Sequence, residues 1–369
     1  MQARRDFGWV GCNRIGRTSG VAARALLFVL VCGCPEGAHQ TDVATQIRVD
    51  RLIELHEPTL DLGQRTPVAS SAGYIATFLV SSPSGGVAIF DSTGKLTAAF
   101  ARQGSGPGEF SQVVSIGFGS GDSLVVVDSY FRVHFFAPPP DLRFVRTAIM
   151  TRPVVGAPSP QGVLAPAFVQ NGAVLPPMLV GWDGRVIRTY GRRKEQSDAA
   201  SAMGAVDAIG IDSIWSASGD TYHLALVDGD GQVRQIITRE VEWFPSTPGP
   251  VGFSWEVRPN PRIADLSYDP DGYLWVLIRR AHRNWKPTAN APRTSDGPVR
   301  LHQLRRIDEV ERFEYVLEVF SLPEGDLLAS ADLEGSYSGF ASTTVLAGRE
   351  WADDGSMRIT LNRISLERR

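Results

Sequence analysis

The sequence predicts an all-β chain closed into a ring of six four-stranded blades, a β-propeller. Three observations predict it: turn signals recur at a steady spacing after residue 46, short alternating strands lie between them, and no helical periodicity interrupts the series. The first turn phase, the hairpin between an inner and a middle strand, falls at Ser71-Ala72-Gly73, Gly121-Asp122, Asn171-Gly172, Ile211-Asp212 and Asp269-Pro270-Asp271-Gly272. Gly73 and Gly272 lie 199 residues apart over four steps, about 50 per unit, near the blade period of propellers. The second phase, between the two outermost strands, falls at Asp91-Ser92-Thr93-Gly94, Asp183-Gly184, Asp228-Gly229-Asp230-Gly231 and Pro323-Glu324-Gly325. Asp-Gly between alternating apolar runs is a strong short-range hairpin signal. Parallel α/β folds need long helical crossovers, and none is visible.

The elements follow in chain order. Residues 1–33 read as a lipoprotein-type signal peptide. Arg14, Arg17 and Arg24 precede the apolar run Ala25 to Val31, which is too short to span a bilayer as a helix. The run ends in Val31-Cys32-Gly33-Cys34, which resembles a bacterial lipobox with Cys34 as the lipidated residue. An ordinary secretory signal cut nearby is the competing reading. Cys12, Cys32 and Cys34 are the only cysteines, so the body has no disulfide framework and no thiolate metal site. Residues 34–46 are a polar tether. Two or more acyl chains anchor a protein stably, so the expected location is exported and membrane-anchored, in the periplasm or at the cell surface.

Residues 47–369 form a single propeller domain. Six units lie near residues 60–110, 111–155, 156–198, 199–250, 251–332 and 333–369, the last lacking an outer strand. Residues 47–56 are an alternating strand with no unit of their own. They are expected to supply that missing strand and close the ring, which removes exposed edges. The fifth unit is long because Arg279 to Arg306 interrupts it. A seven-bladed ring and a two-sheet sandwich are the competing arrangements.

Within this series, Gly104-x-Gly106-Pro107-Gly108-Glu109-Phe110, then Gly121 to Ser129 (GDSLVVVDS) and Arg132-Val133-x-Phe135-Phe136, resembles the NHL repeat. It resembles still more the bacterial six-bladed β-propeller lipoproteins that carry a GPGEF turn after the first blade. Asp269-x-x-Gly272-x-Leu274-Trp275-Val276 resembles the same repeat in the fifth unit. The resemblance implies a fold and an exported, surface-attached location. It implies no single activity, because function sits in sites grafted onto the fold.

The chemistry is sparse. A formal net charge of −3 and a pI near 6.1 give no electrostatic footprint for nucleic acid. His56, His134, His223, His282 and His302 show no metal-ligand spacing, and His134 lies inside an apolar strand, where packing is its expected role. No nucleophile elbow or Walker loop is present, and Asp228 to Gly231 lacks the further ligands of a calcium loop. No cofactor is implied.

Two features rise above this background. Trp243, Trp255, Trp275 and Trp285 cluster in sequence; Trp275 is expected in the core, and Trp255 and Trp285 are expected to anchor loops, with a place at a pocket rim as the competing reading. The insertion Arg279 to Arg306 carries eight basic residues against Asp296 alone. A loop of that length is usually functional or disordered. Arg280, Arg283 and Lys286 are therefore candidate anion-binding residues, expected to be replaceable without loss of stability. The expected function is a monomeric binding or scaffold module for a small molecule, an anionic glycan or a protein partner. The competing class is a hydrolase or lyase centred on the channel, lactonase-like or NHL-lyase-like.

Overall fold

The computed structural model describes residues 45–55, 68–71, 73–79, 86–100, 104–111, 113–130, 132–149, 157–159, 161–165, 168–170, 173–181, 183, 185–191, 194–195, 206–209, 212–217, 221–244, 258–286, 313–322, 324–351 and 357–368. They form six four-stranded antiparallel sheets arranged as a six-bladed β-propeller. The first strand, β1 (Thr45–Leu55), belongs to the last blade. Blade one is β2 (Val68–Ser71), β3 (Tyr74–Leu79), β4 (Gly86–Asp91) and β5 (Leu96–Phe100). Blade two is β6 (Val113–Phe118), β7 (Leu124–Asp128), β8 (Arg132–Phe136) and β9 (Phe144–Ile149).

Blade three begins with β10 (Ala157–Ser159) and β11 (Gly162–Ala165). The chain then leaves it for β12 (Phe168–Gln170) and β13 (Ala173–Leu175), and returns as β14 (Met178–Gly181) and β15 (Val186–Thr189). The excursion pairs with β16 (Lys194–Glu195) in a separate three-stranded sheet. Blade four is β17 (Val206–Ile209), β18 (Ser213–Ala217), β19 (His223–Asp228) and β20 (Val233–Thr238). Blade five is β21 (Arg262–Tyr268), β22 (Tyr273–Ala281), β23 (Phe313–Ser321) and β24 (Leu327–Leu333). Blade six is β25 (Ser336–Ser342), β26 (Val345–Trp351) and β27 (Met357–Arg368), completed by β1 on its outer edge.

Burial explains why these sequences make blades. Among the described residues six apolar clusters are present, one between each pair of neighbouring blades, so the core is itself a ring. Middle strands are covered on both faces and read as unbroken apolar runs. In β7, Leu124 and Val126 pack toward blade one while Val125 and Val127 pack toward blade three, all with no solvent exposure. Burial of each such side chain contributes about 1.5–3 kcal/mol relative to exposure.

Two expectations are corrected. Asn171-Gly172 does not join the inner and middle strands of blade three; it lies between β12 and β13 and outside the described residues. The hairpin of the blade falls earlier, where Ser159 pairs with Gly162. A side chain at Gly162 would meet the carbonyl oxygen of Val180 at 2.0 Å, so the backbones can approach only because glycine stands there. The second correction concerns the basic insertion. Arg279 and Arg280 are strand residues, paired with Tyr315 and Glu314, and the interruption begins only after Ala281. Its sequence gave no sign of this, because the pairing strand resumes 32 residues later at Phe313.

Candidate functional site

In each blade the connection from second to third strand opens on the same mouth of the ring as the connection to the next blade. Described residues at the ends of two of these connections, the one from blade four to blade five and the one between β22 and β23, line a cleft of about 470 Å³. One wall is Glu242, Trp243 and the segment Arg258 to Pro261; the other is Arg280, Ala281, Arg283 and Glu314.

Arg280 organises this cleft. Its Nε donates to Glu314 Oε1 at 2.6 Å and its Nη2 to Asp332 Oδ1 at 2.9 Å. Its guanidinium carbon stands 4.9 Å from the centre of the Trp243 ring, a cation–π contact that joins blade five to the blade-four connection. Only 19% of the Arg280 side chain is exposed. These contacts tie Arg280 to both walls, so its replacement is now expected to cost stability, unlike that of an exposed loop cation. Glu314 is also held on its free side, where the Arg283 amide donates at 3.3 Å and Arg283 Nε lies at 3.6 Å. Burial alone would push the Glu314 carboxyl up, but the hydrogen bonds and charges of Arg280 and Arg283 hold it below the usual carboxylate range.

Arg283 is exposed on the rim and Lys286 is exposed beyond it. Trp285 is half-buried, its amide donating to the His282 carbonyl at 2.8 Å in a turn that leaves β22. Cys34 and Trp255 lie outside the described residues. Trp275 is a core residue whose indole donates to Asp269 Oδ2 at 2.7 Å. Sequence reasoning did not reach Glu242, Arg258, Asn260 or Glu314. They come from two segments far apart in the chain, with no local spacing to betray them; Pro259 and Pro261 flanking Asn260 were the available sign of a fixed loop.

Two buried polar clusters support the same mouth. Glu318 on β23, with no solvent exposure, accepts hydrogen bonds from the Tyr222 hydroxyl and from Arg239, linking blade five to blade four. Burial pushes the Tyr222 phenol well above its ordinary range, and the charge of Glu318 adds to this. The Tyr222 ring rests against Phe244, which neighbours Trp243. In blade two, Asp128 gathers Arg132, His134 and the amide of Ser111. Arg132 also donates to the Gly104 carbonyl at 3.0 Å, so the turn of Gly104 to Phe110 is fixed from below. Within that turn Glu109 folds back to accept from the Gly106 amide at 2.8 Å. Among the described residues, no three His, Cys, Asp or Glu side chains are placed together to hold a metal ion.

No sequence-family profile matches the chain, and none of the curated proteins matches it in sequence. The likeness is structural. A member of the DUF4221 family from Bacteroides vulgatus superposes with a TM-score of 0.54 at 11% identity, over 89% of this chain and 100% of that one. A Bacteroides fragilis protein inferred to be exported overlaps less closely, with a TM-score of 0.48 at 8% identity over 88% of this chain and 96% of that one. A virginiamycin B lyase from Staphylococcus aureus reaches 0.39 at 10% identity, over 86% and 99%. At such identities the first of these likenesses bears on the fold alone. It agrees with the six-bladed ring.

Proposed function

We propose that this chain is an exported, lipid-anchored propeller of the NHL-like lipoprotein type that binds an anionic glycan in the mouth cleft between blades four and five. The observation that carries the reading is the Arg280–Trp243 platform, fixed by Glu314 and Asp332, standing beside the exposed cations Arg258 and Arg283. A cleft of about 470 Å³ is the size of small-ligand sites and takes one or two sugar rings. Trp243, Pro259 and Pro261 offer flat apolar surface, while Asn260 and the guanidinium groups offer planar donors for hydroxyls and carboxylates. The anchor rests on Cys34 and the leader before it.

The test is retention on an acidic-polysaccharide column. Replacing both Arg258 and Arg283 by Ala should lower the salt needed for elution and weaken binding by about fivefold, the scale of one or two exposed charge contacts. The melting temperature should not move, since both side chains are exposed. Arg280→Ala should instead lower the melting temperature, because it strips the nearly buried Glu314 of its main partner. A double variant that elutes with the parent overturns the glycan reading.

A further inference from the structure

We infer that the ligand of this cleft is a sugar acid that also carries a free amine, with Glu242 receiving the ammonium and Arg258 the carboxylate. The inference rests on the binding reading above and names its ligand more narrowly. Its basis is the state of the charges lining the cleft. Arg280 is committed twice, to Glu314 and to Asp332. Glu314 is committed in turn to Arg280 and to the Arg283 amide. These groups build the wall and have little left for a ligand.

Glu242 and Arg258 differ from them. Both are exposed, both line the cleft, and neither has a hydrogen-bonding or ionic partner among the described residues. Arg283 is 73% exposed and its side chain reaches Glu314 only at 3.6 Å, so it is loosely held. The open valences of the cleft are thus of both signs. A purely anionic ligand would satisfy Arg258 and Arg283 but bring like charge against Glu242, which favours neither partner. A ligand with one ammonium and one carboxylate satisfies both signs at once. Such an amine also selects against the polyanions that any basic surface attracts.

Muramic acid and N-acetylmuramic acid make a matched pair of probes: both carry the carboxylate, and only the first carries the free amine. Binding would be measured by calorimetry on the detergent-solubilised full chain, with EDTA present so that no divalent cation bridges Glu242 to the sugar. The parent should bind muramic acid about two- to fivefold more tightly than its acetylated form, the scale of an exposed ion pair. Glu242→Gln should abolish that preference, and Arg258→Ala should weaken both sugars. Equal affinities in the parent, or a preference that survives in Glu242→Gln, overturn the inference. If neither sugar binds while column retention still depends on Arg258 and Arg283, the amine inference falls and the glycan reading stands. If retention is independent of the cleft, both fall.

Discussion

Asp128 is a side chain with no solvent exposure that nevertheless carries a charge. Its Oδ1 accepts from the amides of Tyr130 and Arg132 at 3.0 Å each, and its Oδ2 from Arg132 Nε at 2.8 Å and from the Ser111 amide at 3.2 Å. His134 Nε2 lies 3.4 Å from the same Oδ2, and Thr147 meets the other ring nitrogen. Asp91 and Asp228 repeat part of this pattern, each accepting from the amides two and four residues on. Asp91 and Asp228 were legible as turn residues; the cation and histidine converging on Asp128 were not, because that depends on how its strand pairs. Burial alone would push the Asp128 carboxyl up, yet the hydrogen bonds from His134, Arg132 and Ser111 hold it far below the usual carboxylate range. Its folded value is depressed, so its stabilisation is fully present above the ordinary value near 3.9 and is lost as pH falls toward the folded one. Asp128→Asn keeps the shape and removes the charge that Arg132 faces. At neutral pH it should cost about 3–5 kcal/mol, the cost of breaking a buried pair. Urea melts over a pH series should also show a shallower loss of stability below about pH 4 in the variant than in the parent. Equal stability and equal slope would show that this carboxylate does not lock the blade.

Among the elements, β1 was read correctly as the closing strand, though it spans Thr45–Leu55 where the sequence suggested 47–56. Its inner geometry was hidden. Ile47, Val49, Ile53 and Leu55 alternate in sequence as though they shared one face. In the structure Ile47 and Val49 pack toward blade five, while Ile53 and Leu55 pack toward blade one. The switch is a β-bulge: Arg51 pairs with Asn362 and Ile53 with the adjacent Leu361, leaving Leu52 as the extra residue. Period-two patterning cannot reveal it, because one added residue exchanges the faces without breaking the alternation of residue types. The consequence reverses the usual rule that losing one residue ruins a strand. Deleting Leu52 removes the bulge and leaves both pairs of apolar residues on their present faces, so the cost should stay within about 1 kcal/mol. Deleting Glu54 instead places Leu55 opposite Thr360, on the wrong face, and should cost about 2–5 kcal/mol, like a buried Leu→Ala. Glu54→Ala controls for the loss of the exposed pairs to Arg51 and Arg358, which contribute little. Denaturant melts giving the same loss for both deletions would contradict the bulge.

For the whole molecule, the ring was legible because it is built by repetition: a turn phase noisy in one blade is corrected by the next. The cleft was not, since its walls come from residues 242–261 and 280–314 and meet only once the blades are in place. Closure brings the two ends of the described chain into one blade, where Thr45 pairs with Arg368. An anchor at Cys34, as proposed, would lead along the chain to β1, the strand that closes the ring. Whether an anchor is there is decided by Cys34. A chain of formal net charge −3, with its basic residues in part on the leader, has little electrostatic reason to stay on an anionic bilayer, whereas two or more acyl chains hold a protein there stably. Screening within roughly 8 Å at physiological salt, and less at higher salt, separates the two modes of attachment. The parent should sediment with membranes and stay there through a high-salt wash. Cys34→Ala should appear in the soluble fraction with an unchanged melting temperature, because Cys34 precedes in sequence every residue that forms a blade. If that variant still sediments after the salt wash, lipidation at Cys34 is not what holds the protein to the membrane; if the parent itself washes off, the attachment is electrostatic and the lipobox reading fails.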